Sequence, residues 1–135
     1  MEEVNMTGEE RIPRGDLQLR TLAMPADTNP AGDIFGGWVL SQMDIAAAIA
    51  AGQRAEGRVA TVAVDAMKFH RPVYVGDLLC VFSTIEKVGR TSITVALETW
   101  AVRGTVGNRD LVTEGVFIFV AIGPDKRPRP VDGER

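Results

Sequence analysis

The chain has 135 residues, 45% apolar and 24% charged, which suits one domain with its own core. Its formal net charge of −3 excludes a general nucleic-acid binder, which needs a large excess of Lys and Arg to neutralise phosphates. One Cys and one His exclude a disulfide framework and are too few for a zinc site without several carboxylates, so no metal is assigned.

Residues 1–15 open acidic and polar, without the basic start and apolar stretch of a secretory signal, and are expected to be flexible. DLQLRTLAM then alternates Leu17, Leu19 and Thr21 against Gln18 and Arg20, which predicts a first strand. PADTNPAGD is dense in turn formers and reads as a loop. A helix follows from about Phe35 to Ala51, with Gly52 as its expected stop. Its apolar run is too short for a membrane span and is interrupted by Ser41, Gln42 and Asp44, so a cytoplasmic protein with no membrane partner is expected.

Everything later is strand-like: RVATVAVDAMKFHRPV, LLCVFSTIEKV, TSITVALETWAVR and LVTEGVFIFVAIG. VYVGD, GR and GTVGNRD break the runs, and such short turns favour antiparallel pairing. Cys80, inside LLCVF, reads as a buried core thiol. The tail PDKRPRPVDGER lacks an apolar pattern and is expected as loop or disorder. The expectation is one domain over residues 1–135, α+β, with a core at about 17–125 and flexible ends at 1–15 and 124–135. Trp38, Val39, Leu40, Met43, Ile45 and Ile49 leave the helix no wide polar face. Such a helix must be enclosed by a twisted sheet, by a second copy of the chain, or by both.

Asp44 stands out in that helix, because a carboxylate is rarely buried unless it is paired. On a 3.6-residue period it shares a face with Leu40, Ser41, Ala47, Ala48 and Ala51, and no cation lies three or four residues away. One reading is a structural hydrogen bond, to Ser41 or to a distant backbone amide. The other is chemistry: the small alanines leave room beside the acid for something that is not protein. Gly36 and Gly37, at the start of the helix, allow a ligand to approach unpaired amides at the positive end of the dipole. Those amides suit a carbonyl oxygen that becomes negative in a transition state, and Asn29 could add a side-chain donor. Gly37 and Asp44 are seven residues apart, roughly 10 Å along the axis at 1.5 Å per residue. One helix therefore serves poorly for both jobs, and two antiparallel copies would bring one chain's glycines toward the other's Asp44.

TLAMPADTNPAGDIFGGWVLSQMD followed by VDAMKFHRPVYVGDLL resembles the hotdog-fold acyl-CoA thioesterases, in the YciA-like group related to cytosolic long-chain acyl-CoA hydrolases. The resemblance covers about residues 17–125. It implies a hotdog fold, a long central helix wrapped by a five-stranded antiparallel sheet, in a homodimer with shared active sites that commonly assembles to a hexamer as a trimer of dimers. It implies hydrolysis of acyl-CoA to free acid and CoA without metal or redox cofactor. Asp44 would be the catalytic carboxylate, as base or nucleophile, Asn29 a partner from the other protomer, and Gly36 and Gly37 the carbonyl-polarising donors. For the coenzyme's phosphates the candidates are Arg71 and the turn Lys87, Gly89, Arg90, Thr91 and Ser92; for the acyl chain, Leu40, Ala47 and Ala48. A non-catalytic acyl-CoA-binding or sensing module is the alternative. His70 reads as a surface or ligand-mouth residue, since hotdog dehydratases place their His before the helix.

Overall fold

A computed structural model describes residues 11–104 and 107–133. Strand β1 spans Asp16–Leu22 and a single 3-10 turn Pro25–Asp27. Helix α1 spans Gly36–Ala55, and four strands follow: β2 Val59–Phe69, β3 Leu78–Val88, β4 Ser92–Arg103 and β5 Asn108–Ala121. The strands form one sheet in the order β1-β3-β4-β5-β2, with every pairing antiparallel. The helix lies across the concave face, where Val39, Met43, Ala46, Ala47, Ala50, Ala51 and Ala55 are buried.

Side-chain alternation explains which face the helix takes. Ile93, Val95 and Leu97 on β4 and Phe117, Phe119 and Ala121 on β5 occur at every second position and are buried against it. Each large side chain buried there stabilises the fold by about 1.5–3 kcal/mol. Alanines let the helix settle close to the sheet, while bulk comes from Met43 and from Met67 on β2. Gly115 in mid-β5 makes room for both: a Cβ there would lie 2.2 Å from the Met67 sulfur and 3.4 Å from the Met43 methyl.

The helix does not stop at Gly52. It runs on to Ala55, where Glu56 turns left-handed at φ 52° and the Gly57 amide bonds back to the Gly52 carbonyl. The extra turn is held from far along the chain: the buried Arg129 donates to the Ala55 carbonyl at 2.9 Å, and Arg54 pairs with Asp132 at 2.7 Å. A Cβ at Gly57 would sit 2.7 Å from that guanidinium, so the backbone itself forms its seat.

Residues 1–10 and 134–135 lie outside the described residues, but the segments next to them are bonded into the fold. Arg11 bridges Glu98 and Glu114 on the outer face of the sheet at 3.0 and 2.9 Å, and Arg14 pairs with Glu86. In the tail, Val131 is fully buried and its amide donates to the Arg90 carbonyl. β5 starts at Asn108, three residues ahead of the apolar run that marked it, because Asn108 pairs in register with Arg103.

Candidate active site

The loop before α1 is built by Asn29. Its Oδ1 accepts from the amides of Ala31 and Asp33, its own amide donates to the Asp33 carbonyl, and Gly32 supplies φ +90°. With Oδ1 spent on two N–H donors, the side-chain orientation is fixed and Nδ2 is left as a donor. Phe35 is the N-cap and offers no side-chain acceptor. Its carbonyl accepts from Trp38 and Val39, so the amides of Gly36 and Gly37 have no backbone acceptor among the described residues. A Cβ at Gly37 would meet nothing within 4 Å, whereas one at Gly36 would lie 3.7 Å from the Phe69 ring. The helix therefore opens with two unspent donors on glycines, one with an aromatic ring beside its Cα and one with open space there.

Asp44 lies two turns further on and is half-buried rather than sunk in the core. Neither structural partner expected from the sequence holds it. Ser41 donates instead to the Trp38 carbonyl, and the acid takes a hydrogen bond from Thr61 of β2, Oγ1 to Oδ1 at 2.7 Å. The other carboxylate oxygen has no partner among the described residues. Thr61 is the site residue that sequence reasoning missed.

Leu40 and Ala48 are half-buried beside Asp44, while Ala47 is fully enclosed in the core under the sheet. A different hollow lies at the amino-terminal end of α1: about 260 Å³, walled by Ile34, Gly36, Val39, Phe69, Val73 and Thr113, with His70 and Arg71 at its edge. The segment that forms its outer wall is pinned beyond it. Arg103 donates to Asp77, to Asp110 and to the Pro72 carbonyl, and lies 5.0 Å from the Tyr74 ring centre. Asp77 also accepts from the Tyr74 amide at 2.8 Å.

The coenzyme candidates fall into two groups. Arg71 sits at that hollow, its amide on the Val112 carbonyl. Lys87 to Ser92 forms the β3–β4 hairpin at the other end of the sheet. There Gly89 bonds to the Ser92 carbonyl, and a Cβ on it would stand 2.6 Å from the Ser92 hydroxyl. Thr91 and Arg90 accept through their carbonyls from Ala121 and Val131, which stitches the hairpin to β5 and the tail. Ser92 pairs with Val120 and Thr99 with Thr113. Those seven residues separate the two ends by roughly 23 Å at about 3.3 Å each. Arg71 and the hairpin therefore do not converge within one chain. Cys80 is buried, as expected, and burial raises its thiol pKa despite a hydrogen bond and charge from Arg20. Among the described residues no group of three or more His, Cys, Asp or Glu could hold a metal ion, and no helix is long and apolar enough to cross a membrane.

Comparison with known proteins gives a consistent result. The model of the thioesterase superfamily matches residues 31–108. The acyl-CoA thioester hydrolase YciA of Salmonella typhimurium is 52% identical, over 93% of this chain and 97% of its own. A solved structure of HI0827, described as a hexameric broad specificity acyl-coenzyme A thioesterase and crystallised as an Asp-to-Ala mutant, superposes at a TM-score of 0.86. It is 48% identical and is covered over 89% of its length by 90% of this chain. An acyl-CoA hydrolase of Staphylococcus aureus, solved with butyryl coenzyme A and coenzyme A, is 28% identical with a TM-score of 0.79, over 85% of this chain and 70% of that one. It has also been solved with an Asp and a Thr each mutated to Ala, seventeen positions apart, the separation of Asp44 and Thr61 here.

Proposed function

This chain belongs to the thioesterase superfamily, and from that membership we propose how its residues divide the work of thioester hydrolysis. The protein is an acyl-CoA thioester hydrolase of hotdog fold, which cleaves acyl-CoA to a carboxylic acid and CoA. Asp44 is the reactive carboxylate, as general base for water or as nucleophile on the carbonyl. The observation that carries this is its bonding: one oxygen is oriented by Thr61, and the other has no partner among the described residues on a half-buried side chain. The amides of Gly36 and Gly37 polarise the thioester carbonyl, and the free Nδ2 of Asn29 adds a donor. A single such donor is worth about 3 kcal/mol in the transition state.

The donors and the acid act across two chains. Within one helix they are separated by roughly 10 Å, whereas a base and an oxyanion donor must both come within about 3 Å of the reacting group. β2 is the sheet edge through which a second copy adds itself. Val62 and Val64 are 58% and 44% exposed, and Ile45 and Ile49 on the adjoining helix face are also exposed. An apolar edge strand left open is a pairing template. Assembly continues to a hexamer, and the separated cation groups, Arg71 and the Lys87–Ser92 hairpin, then serve one coenzyme from different chains. Leu40 and Ala48 line the acyl path, with Ala47 behind them. A cytoplasmic location accords with an acyl-CoA substrate.

Release of free thiol from a panel of acyl-CoAs tests the assignment. Wild type releases CoA, and Asp44→Ala loses at least about a hundredfold in kcat while keeping its circular dichroism and Tm. A folded mutant that retains most of its rate removes Asp44 from the mechanism, and a wild type that only binds acyl-CoA would instead be a binding module.

A further inference from the structure

Glu98 on β4 and Glu114 on β5 lie directly opposite one another on the outer face of the sheet, with Lys68 of β2 as the next cross-strand neighbour of Glu114. Two carboxylates so placed repel and persist only if neighbours neutralise them. Arg11 does so from the amino-terminal segment, reaching both. Glu98 also accepts from the Trp100 indole at 3.0 Å and from the Arg14 amide. The remaining oxygen of Glu114 meets His70 Nε2 at 2.8 Å.

His70 stands where this outer network meets the candidate site. Its amide donates to the Val112 carbonyl at 2.8 Å, and Arg71 shares the same acceptor at 3.3 Å. The neighbours on either side of it, Phe69 and Arg71 to Val73, wall the hollow at the start of α1. Phe69 is the residue whose ring lies against Gly36. The chain from Glu114 through His70 to Phe69 thus ends beside an amide proposed to polarise the substrate carbonyl.

We infer that His70 is a positioning residue: its hydrogen bond to Glu114 holds the Phe69–Val73 segment against the amino-terminal end of α1 and so fixes the geometry of the Gly36 and Gly37 amides. Glu114, a carboxylate already bound by Arg11, can only accept, so His70 Nε2 carries the proton. With Glu114 ionised the bond is charge-assisted, which makes it roughly twice as strong as a neutral pair. The charged groups around it are Glu114 and Glu98 on the sheet, Arg11 of the amino-terminal segment, Lys68 two residues earlier and Arg71 beside it.

The inference rests on the hydrolase reading, and two readouts keep the two separable. The first is independent of catalysis: hydrogen exchange of the His70 and Arg71 amides speeds at least about tenfold in His70→Leu and stays near wild type in His70→Gln, which keeps a donor. The second is kinetic, with butyryl-CoA. His70→Leu loses about tenfold in kcat with KM within about twofold, and His70→Gln stays within about threefold. Unchanged exchange in His70→Leu overturns the inference. So does a His70→Gln variant as slow as His70→Leu. If His70→Leu does not fold, the kcat of His70→Gln and exchange in Glu114→Leu decide it by the same criteria. A wild type that splits no acyl-CoA overturns the hydrolase reading alone, since the exchange result stands by itself.

Discussion

Thr61 and Asp44 show what a single residue discloses in a sequence and what it conceals. A carboxylate in an apolar helix contradicts its local setting, and such contradictions concentrate at functional sites, so Asp44 stood out as a candidate from its surroundings alone. Thr61 contradicts nothing. Threonine is an ordinary strand former, and the alternation of β2 does not reveal which hydroxyl meets a helix seventeen residues earlier. The contact makes a residue-scale prediction. Thr61→Val keeps the shape and removes the donor, leaving Asp44 unoriented. The expected loss in kcat is about tenfold to a hundredfold, the equivalent of one hydrogen bond to a charged group at about 1.5–3 kcal/mol, with KM little changed. Steady-state kinetics on the folded variant check it; an unchanged kcat would leave Thr61 a bystander. Asn29 was legible too, as a candidate donor, but not in its second duty. Its Oδ1 shapes the loop, so Asn29→Asp preserves the turn while removing the Nδ2 donor, and activity should fall without a large change in Tm.

Elements were legible where pattern is local and misjudged where a distant residue decides. The strands followed from alternation and the helix from its apolar run. The carboxyl end of the helix did not, because a glycine is a sound stop signal and the residues that override it lie more than seventy positions away. Arg129→Met removes the donor from the Ala55 carbonyl inside a tight seat; the expected cost is about 2 kcal/mol, read as a lower denaturation midpoint at constant slope. Glu114 carries a second element-scale prediction, on the pairing of β4, β5 and the segment ahead of β1. Burial pushes its carboxyl pKa up, but hydrogen bonds from Arg11 and His70 outweigh that and hold it below the ordinary range. A lowered carboxyl adds stability above its unfolded value, near 4.3, that is lost as pH falls through the folded value. Glu114→Gln should therefore flatten the acid limb of stability below about pH 4 and leave the alkaline side unaltered. A limb of unchanged steepness would show that the network does not couple to folding.

At the scale of the molecule, a helix apolar on nearly every side called for enclosure by a twisted sheet, by a second copy or by both, and Ile45 and Ile49 stay exposed after the sheet has packed against it. Which strands lie at the sheet edges, where a second copy is proposed to add, was not legible, because edge and interior strands of this chain share the same alternation. Their order emerges only from the pairing of β2 with β5, the last strand in the chain. Placing a charge on that open edge, as in Val64→Lys, should shift the protein to smaller species in light scattering and lower activity together with assembly. Mixing Asn29→Ala with Asp44→Ala chains should restore activity above either parent, because half of the mixed dimers' sites then hold both intact groups; no recovery would confine each site to one chain. The same late closure has a consequence for biosynthesis. Arg129 and Asp132 fasten a helix whose residues left the ribosome long before them. The nascent chain therefore carries its greasiest segment with an unfinished last turn until Arg129 and Asp132 have been added. Ribosome-bound intermediates stalled ahead of Arg129 should be the species that proteases and chaperones catch.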